Sequence, residues 1–500
     1  ETEYAVGSYE EMSVILNEIF TRARGVKDSL RANYTLFRSF AAQGDYKNAI
    51  GTGFDVLEAL GESFEKNAGI SSVETEVVQT LENLEKTNFT DLPQMTDETK
   101  IWTTRFLYNL MFYCHFYYGY NEENGLGFPF VTCRILRLTL SFGVCMESAT
   151  ALASFASLLC GAFGKIEEGY KVGKIAPLLL EKPTNRRAFA SCYSVLYAAV
   201  NVWKEPVQAC LPKLVEGYNV GLVDGEPEFA IFCMTMYISL AFHCGSQLSQ
   251  LVDDAQSLWN DCIKYNQIGR HDYTPIWQCS LNLMDMATDD PVMLSGAVLD
   301  FDAYETDNVA FGPGLAYLFY NQLFLGFLFG RNDIVEDGIE RCRFLMKKYM
   351  GDKFENVNFV LIEGIHALTM ARLSEDGGNG FDDDIAAYEK RADECIAKME
   401  VWSEACAWNI EHMLELLLAE RKAYANDDMG RVAMKHYERS LYLAHEHGFV
   451  KDEAVAAELA AAFCRRTGDE ARSKQWYSRS RSCYLKWGAM RKAHSLPPGG

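Results

Sequence analysis

Residues 476–489, WYSRSRSCYLKWGA, interleave arginines and serines with aromatic rings, a pattern that can grip a nucleic-acid strand through phosphate contacts and base stacking. From Arg472 to Lys492 the chain carries seven Lys/Arg and no acid. At helical spacing, however, Trp476, Ser480, Cys483, Tyr484 and Trp487 share one side, while Arg479, Arg481 and Lys486 stay more exposed. That division marks a packing helix. Its functional remainder is a basic docking face of Arg472, Lys474, Arg479, Arg481 and Lys486 for an acidic neighbour. A net charge of −22 argues against nucleic acid or an anionic membrane as partner of the whole chain.

Other residues that could do chemistry fall short of the pattern their chemistry needs. GAFGKI (161–166) approaches a phosphate-binding loop, but its spacing is wrong and no Ser/Thr follows Lys165. No GxSxG, HExxH or GxGxxG motif occurs. The acidic loop 374–384 places Gly378 and Gly380 where a calcium loop needs oxygen ligands after Asp376. His445 and His447 lie about 200° apart on a helix, and His243-Cys244 lacks partners in sequence. The fifteen cysteines form no CxxC and sit among apolar residues, so they read as buried, reduced thiols of a cytoplasmic protein. No catalytic residue, metal ligand or cofactor contact is therefore expected in this segment.

The elements that position these residues are helical. Hydrophobic residues make up 49% of 500 positions and charged residues 23%, a folded composition, and the length exceeds one hydrophobic core, so several domains or one long repeat array are expected. Ser8 and Glu11 have capping-box spacing, followed by an apolar face of Met12, Ile15, Leu16, Ile19 and Phe20; Ser71 and Glu74 repeat the spacing. HYERSLYLAHEHG (436–448) superposes on WYSRSRSCYLKWG (476–488) at an offset of forty residues, with Gly448 and Gly488 as helix stops. Each copy follows a turn, at Asn426-Asp427-Asp428 and at Thr467-Gly468-Asp469. AAQGDYKNAI (41–50) sets Gly44, Asp45, Tyr46 and Ala49 at tetratricopeptide spacing, and Gly164, Gly245 and Gly330 mark looser copies of the turn. The expected fold is all-α: a solenoid of tetratricopeptide-like helix pairs, roughly forty residues per pair and about a dozen pairs.

Along this array we expect N-terminal helix pairs over 1–88, a linker at 89–103 broken by Pro93 and restarted by a Thr96 cap, and central repeats over 104–373. The acidic loop 374–384 and C-terminal repeats over 385–495 complete one continuous superhelix. Gly312–Gly330 carries no charge over nineteen residues, yet its glycines, Pro313, Asn321 and Gln322 favour a buried helix over a membrane span. The chain starts at Glu1 with no basic-then-apolar leader and reads as a piece of something longer.

DEAVAAELAAAFCRRTGDEARSKQWYSRSRSCYLKWGAMRK (452–492) resembles the end of the helical-repeat arm of large multidomain signalling proteins, which carry a kinase-like domain, a STAND-type AAA ATPase and this arm, often followed by GAF and histidine-kinase modules. The likeness extends back through YERSLYLAHEHGF (437–449), LFYNQLFLGFLFG (318–330), LLCGAFGKIEEGYKVGKIAPLLLEK (158–182) and LPQMTD (92–97) to AAQGDYKNAI. The insertion at 374–384 has no counterpart in it. The resemblance implies a non-catalytic arm that binds a protein partner or ligand in a concave groove and regulates a linked ATPase and kinase. ATP then belongs to the parent protein. Two readings stay open beside it: a stand-alone adaptor or transcription-regulator arm, and an enzyme with a motif-free pocket lined by perturbed acids or histidines.

Overall fold

The computed structural model describes residues 8–64, 69–118, 127–181, 183–265, 267, 272–284, 290–308, 312–377, 382–425 and 430–497. The turn at Asn426-Asp427-Asp428 and the centre of the acidic loop, with Gly378 and Gly380, lie outside these residues. The described residues form helices and turns, with a single isolated bridge between Gln94 and Val144. The first half contains α1 Tyr9–Arg22, α2 Leu30–Ala42, α3 Tyr46–Ala59, α4 Ile70–Glu85, α5 Glu98–Tyr118 and α6 Phe128–Phe142. It continues with α7 Ser148–Gly161, α8 Ile166–Gly173, α9 Ala176–Leu180, α10 Phe189–Val195, α11 Val207–Val223, α12 Pro227–His243 and α13 Leu248–Lys264. The second half contains α14 Thr274–Leu283, α15 Phe301–Asp307, α16 Gly312–Leu328, α17 Asn332–Tyr349, α18 Phe354–Gly377 and α19 Asp382–Ala405. It ends with α20 Ala407–Ala425, α21 Arg431–Glu446, α22 Val450–Arg466, α23 Glu470–Trp487 and α24 Met490–Ser495.

Successive helices pair in tandem, as α11 with α12, α16 with α17, α18 with α19, α20 with α21 and α22 with α23. The fold is thus an all-α solenoid of helix pairs. Gly448, Gly468 and Gly488 adopt φ of +78°, +83° and +98°, so each twenty-residue interval is one helix and one left-handed turn that a Cβ would strain. The forty-residue sequence match has a packing cause. Ser440 and Ser480 donate to main-chain carbonyls of the preceding helix, His412 at 2.7 Å and Ala454 at 2.8 Å. Arg439 and Arg479 pair with Glu411 and Glu453 on those same helices. One serine and one arginine per repeat therefore set how deeply the second helix seats on the first.

Several local expectations need correction. Ser8 precedes α1 but makes no side-chain capping bond, so the capping box with Glu11 does not form. Met12 and Leu16 are buried against Ala32, whereas Ile15 and Ile19 stay 48% and 39% exposed, so the buried face of α1 is narrower than its apolar spacing suggests. Ser71 lies inside α4, which starts from Gly69. The cap after Pro93 is Asp97, not Thr96: its carboxylate accepts from Lys100 N at 3.0 Å.

The helices divide by composition. α13 buries Leu248, Leu251, Ala255, Leu258 and Cys262, a single stripe, and shows water its other face. No residue of α12 or α16 is exposed, and α7 is buried from Ser148 to Cys160. Helices apolar on every side need neighbours on every side, which an open stack of pairs does not supply. Here the second half supplies them. Phe242 of α12 meets Phe324 of α16 and Trp487 of α23, at ring distances of 5.5 and 5.6 Å. Asn409 of α20 donates to Val202 O at 2.7 Å and accepts from Val207 N at 3.0 Å. One core runs from Leu30 to Leu496.

The expected concave groove is therefore filled by the chain itself. Its accessible surface, 20934 Å², is close to the roughly 18,500 Å² of a compact monomer of this mass. The turn between α17 and α18 is the point of closure. The Trp203 indole donates to Asp352 O at 3.0 Å, and Ser157 donates to Asp352 Oδ2 at 2.6 Å. A Cβ at Gly161 would stand 2.7 Å from the Asp352 nitrogen, so only glycine lets the turn dock there. Among the described residues no helix is long and apolar enough to cross a membrane, and the charge-free segment is the buried α16.

Candidate functional site

The turn glycines and aspartates take structural positions. Gly44, Gly164, Gly245, Gly330 and Gly468 all have positive φ and join consecutive helices. Asp45 and Asp469 cap α3 and α23, accepting from Asn48 N at 3.1 Å and Arg472 N at 3.0 Å. Sequence reasoning missed equivalent turns at Gly61 and Gly225, with φ of +86° and +76°.

The basic docking face does not survive as a unit. Arg479 is held by Glu453 at 2.7 Å, and Arg481 turns back to donate to Ala493 O, Leu496 O and Pro497 O. Arg472 pairs with Asp469 on the exposed surface, and Lys474 and Lys486 are exposed. Arg479, Arg481 and Lys492 are thus held by acids and carbonyls of neighbouring elements that a linear reading cannot see. His445 and His447 also part company. His445 lies 3.1 Å from Glu453, while His447 stacks on Trp408 with ring centroids 4.0 Å apart.

The fifteen cysteines are buried thiols. Burial pushes the thiols of Cys133 and Cys145 up to about 12, which keeps them protonated and unreactive. No group of three or more His, Cys, Asp and Glu able to hold a metal occurs among the described residues.

Two polar clusters occupy the interior instead. The first joins α12, α18, α20 and α22. Lys451 Nζ donates to Asn358 Oδ1 at 2.9 Å and lies 2.7 Å from Asp452 Oδ1, and His412 Nε2 sits 3.1 Å from Asp452 Oδ2. Burial alone would raise the Asp452 carboxyl, but Lys451 and His412 outweigh it and hold it down to about 2. His243 faces this group from α12 and is ringed by Tyr320 and Phe354. Burial, reinforced by the Lys451 cation, pushes it down to about 3.

A prediction follows from the sign of that shift. Unfolded His243 takes a proton near pH 6.5 and folded His243 does not until about pH 3, so its contribution to stability falls as pH falls across that window. In urea titrations near pH 5, His243→Asn should reduce the acid sensitivity of unfolding by about 1.4 kcal/mol per pH unit. An unchanged slope would show that His243 is protonated in the folded chain.

The second cluster lines a cleft of about 580 Å³ between the two halves, at the point of closure. Phe112, His115 and Phe116 come from α5, Ser154 and Ser157 from α7, and Phe232 and Met236 from α12. Tyr317 of α16, Tyr349 of α17 and Asp352 with Lys353 in the turn close the other side. Asp352 is 1% exposed, and while its Oδ2 accepts from Ser157 and lies 3.4 Å from Lys353 Nζ, its Oδ1 has no partner. The Ser154 hydroxyl, also 1% exposed, has none either. His115 is held neutral: burial, with Lys353 adding and Asp352 opposing, lowers it to about 4. Such a site can bind a small polar group against aromatic walls.

Sequence reasoning did not single out Asp352, but a signal was there. MGDKF (350–354) repeats the Gly-Asp pair of the turns at 44–45 and 468–469. In those turns the aspartate caps the next helix; here it points between the halves, leaving one carboxylate oxygen over.

These features define a helical-repeat protein with an internal polar cleft. No protein-family model matches the chain, nor does any curated protein. Among solved structures the chain is similar to a circular tandem repeat protein with novel repeat topology and enhanced subunit contact surfaces, at 12% identity over 99% of this chain and 94% of that one, with a TM-score of 0.19. A score that low carries no argument, and the fold rests on the helices described above.

Proposed function

We propose that this chain is a non-catalytic, helical-repeat sensor arm that binds a small ligand or protein partner and regulates linked STAND-type ATPase and kinase domains. The observation that carries the sensing part is Asp352, a buried carboxylate with one unpartnered oxygen in a cleft walled by both halves. A buried acceptor without a partner is costly to the empty protein, and a ligand that satisfies it favours whichever arrangement of the halves holds it best. Coupling to a neighbouring domain then needs only that the neighbour contact both halves. The linked domains come from the resemblance of residues 452–492 and the segments before it. Reading the transcript beyond Glu1 and Gly500 tests that part. An in-frame GxxxxGK[ST] upstream is the expected result, and a start codon just before Glu1 with a stop after Gly500 would sink it.

An enzyme remains the second reading, favoured by the depressed His115 beside Asp352 in the same cleft. Against it, the Ser157 hydroxyl donates its proton to the Asp352 carboxylate.

A further inference from the structure

We infer that the cleft at the closure of the superhelix is a binding site for a small protonated amine, with Asp352 Oδ1 as its anchor. The inference rests on the sensor reading above and names its ligand class. Three observations converge on it.

The first is the acceptor itself. Asp352 is 1% exposed, lines the cleft and leaves Oδ1 unpartnered, while Ser154 presents a second buried oxygen without a partner on the same wall. Asp352 Oδ1 can only accept, the unpartnered Ser154 and Tyr317 hydroxyls of the same lining can accept as well, and an ammonium offers three N–H groups at once. The second is charge. The lining contains the carboxyls of Asp352 and Asp272 and one ammonium, that of Lys353, with His115 neutral. Lys353 Nζ pairs with Oδ2 at 3.4 Å, which leaves Oδ1 as an open carboxylate oxygen that an anion would not satisfy.

The third is the wall. Phe112, Phe116, Phe128 and Phe232 line the same cleft. Rings attract a desolvated cation through their faces and shed water around an alkyl chain. Aromatic side chains beside one open carboxylate oxygen suit a short alkylamine.

The test uses the full 500-residue chain and three four-carbon probes. n-Butylamine and n-butanol match in size and differ in charge, and butyrate carries the opposite charge with one more oxygen. In calorimetric titration at neutral pH the amine should bind at one site per chain and raise the thermal midpoint, with the alcohol at least tenfold weaker and butyrate silent. Asp352→Asn should weaken the amine at least tenfold and bring it level with the alcohol. The probe comparison does not depend on that variant folding. Equal binding of amine and alcohol, or binding of butyrate alone, overturns the amine assignment while leaving a ligand-sensing cleft. No binding by any probe, with ordered waters on Asp352 Oδ1 in a crystal structure, overturns the assignment and the sensor reading together.

Discussion

Replacing Lys451 with methionine lowers the free energy of unfolding by about 3–5 kcal/mol, because it strands a buried carboxylate. The Lys451 and Asp452 side chains are 2% and 6% exposed and 2.7 Å apart, deep between α12, α18 and α22. Methionine keeps most of the stem volume and removes only the ammonium. Asp452 would then keep His412 at 3.1 Å as its remaining partner, and Asn358 Oδ1 would lose its donor. Adding Asp452→Asn should recover much of the loss, since the cost lies in the uncompensated charge and not in the missing attraction. Urea denaturation followed by circular dichroism measures both. Equal losses in the single and double variants would mean that the pair is solvated.

Trp487→Ala destabilises by a comparable amount, about 3–5 kcal/mol, through the cavity it leaves. Trp487 is fully buried and its ring lies 5.6 Å from Phe242 and 6.5 Å from Phe324, so α23 plugs into helices more than a hundred residues earlier. Trp476, eleven residues before it, is half-buried beneath the Arg479 guanidinium at 5.6 Å. Trp476→Ala should cost less than half as much in the same titration. If the two losses were alike, or the ranking reversed, the basic-aromatic strip would be a surface feature and not the plug described.

Much of this architecture can be read from residues. The match of Arg439 with Arg479 and Ser440 with Ser480 gives the helix pair and its period, because those side chains bind the preceding helix in each copy. Left-handed glycines give the turns. Closure was harder to see, though α12 and α16 advertise it by having no polar face. Amphipathic spacing identifies an outer helix; its absence says only that a helix is covered, not by what. The cleft was the least legible part. Its walls come from α5, α6, α7, α10, α12, α16, α17 and the turn after α17, and its anchor, Asp352, hides in a Gly-Asp turn that elsewhere caps a helix. Likewise the Arg481 contacts with the C-terminal carbonyls are set by the fold, so the sequence shows only an unmatched cation.

Small-angle X-ray scattering tests most directly whether the second half closes on the first around this cleft. The closed chain should have a radius of gyration of about 23 Å, the value for a compact domain of this length. About a dozen helix pairs stacked roughly 10 Å apart without closure would exceed about 30 Å. The larger value would leave the cleft without one of its walls and contradict the account.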